Sequence, residues 1–274
     1  MSNPIAFKCP ICDNSLTKDG SSYACENKHS FDIAKEGYVN LLPVQQKSSK
    51  NPGDSYEMIK SRQEFLEKGY YENLAKTLVT TIISLNPRSL LDSGCGEGYY
   101  LQKLRHELTE ATLFGIDVSK EAIRFAAKRK LDVQLAVASA YQLPFFNGSF
   151  DVVISIFSPI STNELARVLK PDGRVIIVGP GPDHLKGLAI QLFRSAIPHE
   201  GNFSLLDSDP RFNLVTEQEV RGEITVAQKD ISNLLGMTPY YWRTTPEQKQ
   251  QLLEISELKT PLQFHIKGYS KSPA

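Results

Sequence analysis

Cysteine is scarce in this chain and unevenly placed: there are four among 274 residues, and three of them fall within the first 25. A disulfide framework ties distant parts of a secreted chain together, so this crowding argues against one. No apolar run is long enough to cross a bilayer, and Met1 to Lys8 lacks the apolar stretch of a secretory signal. Net charge is also missing, because 31 Lys and Arg balance 31 Asp and Glu. A surface for a polyanion must therefore be local rather than global. No internal repeat is found. What is present, 41% hydrophobic residues, is enough for a substantial core. The expectation is a soluble, cytoplasmic globular protein with no membrane partner, built as one large domain with an appendage or as two modest ones.

The early cysteines follow a pattern. Cys9-Pro-Ile-Cys12 sets two thiolates on one knuckle, and Cys25-Glu-Asn-Lys-His29 offers a second pair after twelve intervening residues. Four such ligands with no spare position describe a structural Cys3His zinc site. So short a segment cannot bury enough core to fold without a metal staple. The alternative is an incidental group of reduced thiols. Lys8, Lys18, Lys28 and Lys35 stand among Asp13, Asp19, Glu26, Asp32 and Glu36, which nearly cancel them, and this reads as a solvated surface.

Residues 31 to 44 form an apolar connection, and Gln45 to Asp54 a polar loop or lid. Two helices follow, one from Ser55 with Met58, Ile59, Phe65 and Leu66 on its apolar face, and one from about Tyr70 to Leu85. From Ser89 strands and helices alternate, the mark of a parallel sheet covered on both faces. Strands are expected at 89–92, 112–116, 133–137, 152–156 and 174–178, with helices at 99–107, 119–130, 163–169 and 184–195. Beyond these, 215–226 reads as a pair of strands, 227–235 and 246–255 as helices, and 262–267 as a last strand. The expected organisation is a zinc-binding module over 1–40, a linker or lid and helix over 41–70, and a cofactor domain over 71–274.

The chain is organised around Ser89-Leu-Leu-Asp92-Ser-Gly94-Cys-Gly96-Glu-Gly98-Tyr-Tyr100. A buried strand enters an acid and then a turn with three alternate glycines, which admit positive φ and close approach of a ligand. The dinucleotide template needs a sixth-position glycine, where this chain has Tyr99, so the turn looks more like an S-adenosylmethionine (SAM) site than an NAD site. A purely structural turn between strand and helix is the alternative. Asp117 ends the second strand nineteen residues after Gly98, where a carboxylate can accept both ribose hydroxyls; otherwise it merely caps the next helix with Ser119. Lys120, Arg124 and Lys128 form a basic stripe that is either an RNA contact or a wet helix face.

Together, Asp92 to Tyr100, Asp117-Val-Ser119, Leu143-Pro-Phe145, Ser149-Phe-Asp151 and Leu169-Lys-Pro-Asp-Gly173 resemble class I SAM-dependent methyltransferases. With the Cys9, Cys12, Cys25 and His29 module, Ala34 to Val44 and Asn51 to Ser55, the chain resembles the bacterial RlmA (RrmA) family, 23S rRNA (guanine-N1)-methyltransferases. The resemblance runs through Met237-Thr-Pro239 and Trp242-Arg243. It implies an α/β Rossmann-like SAM domain behind a zinc ribbon that helps grip RNA. It also implies a homodimer and a target guanine in a hairpin loop of 23S rRNA. The cofactor contacts it implies are Tyr71, Asp92, Gly94, Gly96, Glu97, Gly98, Tyr99, Asp117, Ser139 and His184.

Guanine N1 carries a proton at neutral pH, so a base is expected. Asp183 and His184 are candidates because they follow the fifth strand; His184 equally fits a cofactor contact or a helix cap. Tyr99, Tyr100, Phe157 and Trp242 are candidates to stack on the base or to serve the core. A small-molecule methyltransferase and a zinc-dependent RNA-binding protein without catalysis are the rival readings.

Overall fold

The computed structural model describes residues 5–46, 52–195, 199, 201 and 203–272. Residues 47–51, within the expected lid, lie outside the described residues.

The chain opens with three short antiparallel strands, β1 (Thr17–Asp19), β2 (Ser22–Ala24) and β3 (Ser30–Asp32). They are too small to hold a core of their own. Instead β4 (Val39–Asn40) pairs in parallel with a strand of the main sheet, and Phe7 inserts between Phe114 and Phe145, its ring centroid 5.5 Å from each. Two helices follow, α1 (Tyr56–Glu67) and α2 (Glu72–Ser84). Ser55 caps α1 by accepting the Met58 N–H, and the buried face is Met58, Ile59, Phe65 and Leu66.

The alternating region then supplies β5 (Ser89–Ser93), α3 (Tyr99–Glu107), β6 (Thr112–Asp117), α4 (Lys120–Lys128), β7 (Gln134–Val137), β8 (Phe150–Ile156), α5 (Thr162–Val168), β9 (Leu169–Pro180) and α6 (Lys186–Phe193). The remainder is α7 (Ser204–Asp207), β10 (Phe212–Ala227), α8 (Gln228–Gly236), α9 (Pro246–Leu253) and β11 (Glu257–Lys271). Eight strands share one sheet in the order β10-β11-β9-β8-β5-β6-β7-β4. From β9 to β4 the pairing is parallel, and β11 is antiparallel to both its neighbours. The order reverses at β5 and β8, so the crevice beyond their carboxyl ends is where a ligand belongs.

Two expectations need correction. Residues 215–226 are not a pair of strands but part of one edge strand, β10, which pairs with β11 along its whole length. From Asn213 to Glu219 its residues are all exposed, whereas Val220, Ile224 and Val226 face the core from one side, so only the carboxyl half alternates and the strand reads as shorter pieces. The Lys170-Pro-Asp-Gly173 stretch, expected as a turn, is carried within β9, where the register with β8 shifts between Phe150 and Val152.

Candidate cofactor and metal sites

The ligand atoms of Cys9, Cys12, Cys25 and His29 lie within 4.8 Å of one another. Cys12 Sγ is 3.6 Å from Cys25 Sγ, and His29 Nδ1 is 3.6 Å from Cys9 Sγ and 3.4 Å from Cys25 Sγ. Tetrahedral zinc with bonds of about 2.3 Å to sulfur sets its ligands roughly 3.8 Å apart, so the donor set fits that ion. The Asn14 backbone N–H pulls the Cys12 thiol down to about 6, into the range where it ligates as thiolate at neutral pH. Arg124, from the basic stripe, reaches back to Glu36 at 3.2 Å, and Lys128 lies over the Phe125 ring; these two cations serve the packing around α4.

The second site begins at β5, buried along its whole length. Asp92, 1% exposed, has no hydrogen-bond partner for either carboxylate oxygen among the described residues. Burial, then the nearby Asp117 and Glu97, holds its carboxyl well above the usual range. A buried acid without donors awaits a cationic or hydrogen-bearing ligand.

The turn that follows is closed on itself. Gly94 and Cys95 both donate to the Ile116 carbonyl at 2.9 Å, Gly96 donates to Asp117 Oδ2 at 3.0 Å, and Gly98 to the Cys95 carbonyl at 3.1 Å. Asp117 Oδ1 also accepts the Ser119 N–H at 2.8 Å, so this acid ties the glycine turn to the end of β6 while capping the next segment. Each of its oxygens keeps a second lone pair for a sugar hydroxyl. Gly94 has φ +86°, and a β-carbon there would stand 1.9 Å from Ser158 Oγ. Gly98, at φ +85°, lets α3 start against Ala126 of α4.

Other expected contacts are distributed around this turn. Tyr71, at the start of α2, is buried with its hydroxyl 3.2 Å from His184 Nε2. The Gln263 backbone N–H donates to His184 Nδ1 at 3.5 Å, which assigns the ring proton to Nε2 and makes the Tyr71 oxygen its acceptor. Ser139 lies just past β7, its Oγ accepting the Tyr141 N–H at 3.2 Å. Two side chains of the motif point elsewhere. Arg129 grips the Glu97 carboxylate and carbonyl, pinning the turn to α4, and Tyr99 donates to Glu72 of α2 at 3.1 Å.

Family models match the two halves of this architecture separately: one described as RlmA, N-terminal, over residues 7–50, and one described as a methyltransferase domain, over 90–173. A Streptomyces fradiae protein named 23S rRNA (guanine(748)-N(1))-methyltransferase is 30% identical over 249 residues, 88% of each chain. The chain belongs to this RlmA family of 23S rRNA (guanine-N1)-methyltransferases. YxjB of Bacillus subtilis is 35% identical over 264 residues, 90% of each chain. The crystal structure of YcgJ from the same organism covers 75% of this chain and 100% of its own at a TM-score of 0.51; at 17% identity it shows the fold alone.

As an RlmA protein the chain uses SAM and a structural zinc ion, and the residues present fit both. The orphaned Asp92 suits a cationic amino-acid end, and the turn leaves no room for a side chain at Gly94. Of the two base candidates, His184 is buried and neutral, with both ring nitrogens engaged, whereas Asp183 stands half exposed at the rim, 3.3 Å from Lys186 Nζ. Tyr99 and Tyr100 are buried, leaving Phe157 and Trp242 as the exposed aromatics among the stacking candidates. Phe157 stacks on His184 at 6.3 Å and holds φ +53°, a backbone state stored at functional sites.

Ser158, in the loop after β8, fills the space above Gly94. Sequence reasoning missed two residues here. Arg62 of α1 approaches Gly96, and His199 Nε2 lies 2.8 Å from the Tyr240 hydroxyl beside His184. Neither belongs to a local motif. Only a helix reaching over a distant turn brings Arg62 there.

Burial lowers the His184 imidazole to about 3. The unfolded chain, with its ordinary value near 6.5, therefore binds a proton that the folded chain refuses. The stability His184 permits is present above pH ~6.5 and is lost as pH falls from there toward 3, by at most about 1.4 kcal/mol per pH unit. Melting curves between pH 7 and pH 5 should fall less steeply for His184→Gln than for the unaltered protein; parallel slopes would refute this assignment.

Proposed function

We propose that this chain transfers a methyl group from SAM to N1 of one guanine in a hairpin loop of 23S rRNA. In this reading it works in the cytoplasm as a homodimer, with the zinc module over residues 1–40 gripping RNA. The observation that carries the reading is the continuity of the two sites: the zinc module packs through Phe7 on β6, the strand that ends in Asp117, and through β4 on β7 beside it. A small-molecule methyltransferase has no need of such a module, and an inactive RNA binder has no need of a cradle ending in an orphaned acid.

Bound SAM supplies an electrophilic methyl group for an in-line displacement. The chain's own work is to align acceptor and donor and to exclude water. In the proposed site Asp117 takes the ribose, the Ser139 stretch borders the adenine, and Tyr71, oriented by His184, faces the methionine end. The Watson–Crick edge of guanine must be unpaired to reach them, and a loop nucleotide meets that at little cost. Phe157, exposed beside His184, offers a ring on which the base stacks. The N1 proton leaves to a group at the carboxyl end of β9, and Asp183 is the candidate whose carboxylate a nucleobase can approach.

Incubation with labelled SAM and 23S rRNA lacking the modification should place label in the RNA. Primer extension should then stop at one loop guanine, because N1-methylation blocks pairing. Asp183→Asn should give the same stop at far lower yield. Label on another base atom, or in small molecules only, would overturn the assignment.

A further inference from the structure

SAM carries three charges at its amino-acid end: a sulfonium, an ammonium and a carboxylate. The buried Asp92 answers the positive charges, and Asp117 takes the ribose. Nothing so far answers the carboxylate, and the turn cannot do so with the amides of Gly94, Cys95, Gly96 and Gly98, all of which already have acceptors within the protein. A cation that can meet the carboxylate stands just outside the turn.

That cation is Arg62. It lies within α1, outside the alternating region, with its side chain 27% exposed. Its Nη1 stands 3.6 Å from where a β-carbon on Gly96 would be, so a side chain at Gly96 would crowd the space between guanidinium and turn. Its charge acts on Tyr71, Tyr100, Glu97 and Asp117, four residues that surround the motif. Arg129, by contrast, is buried and committed to Glu97 and Gln102. Arg62 holds one carboxylate, that of Asp54 at 2.6 Å. Asp54 sits in the short stretch before α1, where its own carbonyl accepts Ser119 Oγ at 2.8 Å.

We infer that Arg62 binds the carboxylate of the cofactor's methionine end, using the planar fork with which arginine engages carboxylates, while Asp54 neutralises and orients the guanidinium. This rests on the reading of the glycine turn as the SAM site. It makes α1 part of the cofactor site and couples its approach, through Asp54 and Ser119, to the loop that carries Asp117.

Calorimetry on the full-length, zinc-loaded protein separates this role from a tether between α1 and the sheet. Two ligands serve as probes: S-adenosylhomocysteine, and 5′-methylthioadenosine, which has the same nucleoside and thioether but no amino-acid end. Arg62→Ala should weaken S-adenosylhomocysteine roughly 10- to 100-fold, the loss of hydrogen bonds to a charged group, while changing 5′-methylthioadenosine by less than about threefold. Arg62→Lys should recover part of the loss. Lys60→Ala, which removes an exposed cation of the same helix paired with Glu64, should hold S-adenosylhomocysteine within about threefold. Equal weakening of both ligands in Arg62→Ala, no weakening of either, or a Lys60→Ala loss as large as that of Arg62→Ala would overturn the inference. If the unaltered protein bound neither ligand, the SAM site itself would fall, and this inference with it.

Discussion

Gly94→Ala should weaken SAM binding at least about a hundredfold, equivalent to about 2.7 kcal/mol, and reduce methyl transfer with it. Two separate costs arise at this position. The backbone sits at φ +86°, where a β-carbon is strained by itself. The added carbon would also lie 1.9 Å from Ser158 Oγ and 2.5 Å from Ser158 Cβ, so the loop after β8 must retreat. That loop carries Phe157, already held at φ +53°. A shift there moves the walls of the cofactor and nucleobase sites together.

Gly148→Ala is the control, because its φ is +64° but no atom lies within 4 Å of the added carbon. It should show the strain in its melting temperature and leave SAM affinity as it was. Adding Ser158→Gly to Gly94→Ala should restore part of the binding by removing the clash. Unchanged SAM affinity in Gly94→Ala, measured by calorimetry, would show that the turn is not the cofactor cradle.

Removal of zinc should have the second large effect, and it should reach further than a detachable module would allow. Cys9 lies two residues from Phe7, whose ring contacts Tyr23, Phe114 and Phe145, all at 5.5 Å. The Lys8 N–H donates to the Pro144 carbonyl at 2.8 Å, and β4 extends the main sheet. Metal loss therefore releases a buried aromatic side chain and several aromatic pairs, of order 4 kcal/mol in all. For a chain of this size that corresponds to a fall in melting temperature of roughly 10 °C. Cys9→Ser and Cys25→Ser should each lower the zinc content below one per chain, lower the melting temperature and weaken RNA binding, while SAM affinity stays within about threefold. An unaltered melting temperature in protein shown by elemental analysis to be free of zinc would refute the coupling.

The features legible in the sequence were those written in short spacings. Cys-x2-Cys and Cys-x3-His lie close along the chain and close in space. The run from Ser89 to Glu107 is one strand, turn and helix, each set by its own residues. Asp117 was legible because the adjacent parallel strand falls at a regular distance. The partners of these residues were not legible, because sheet order and helix packing decide them. Nothing near Glu97 indicates Arg129, 32 residues away, and nothing near Gly96 indicates Arg62. The full length of β10 was hidden for a different reason: its amino-terminal half, exposed from Asn213 to Glu219, carries no hydrophobic alternation.

The pairing of β4 with β7 also bears on synthesis. Val39 meets Ala136 and Asn40 meets Val137, so the first element of the sheet must wait for a partner nearly a hundred residues downstream. At ordinary translation rates of about 5–20 residues per second, that interval is roughly 5–20 s. During it three thiols and Phe7 have left the ribosome with no main sheet to dock on. Early capture of the ion closes the knuckle before β7 exists, shielding the thiols from oxidation and holding Phe7 in place until the sheet arrives to receive it.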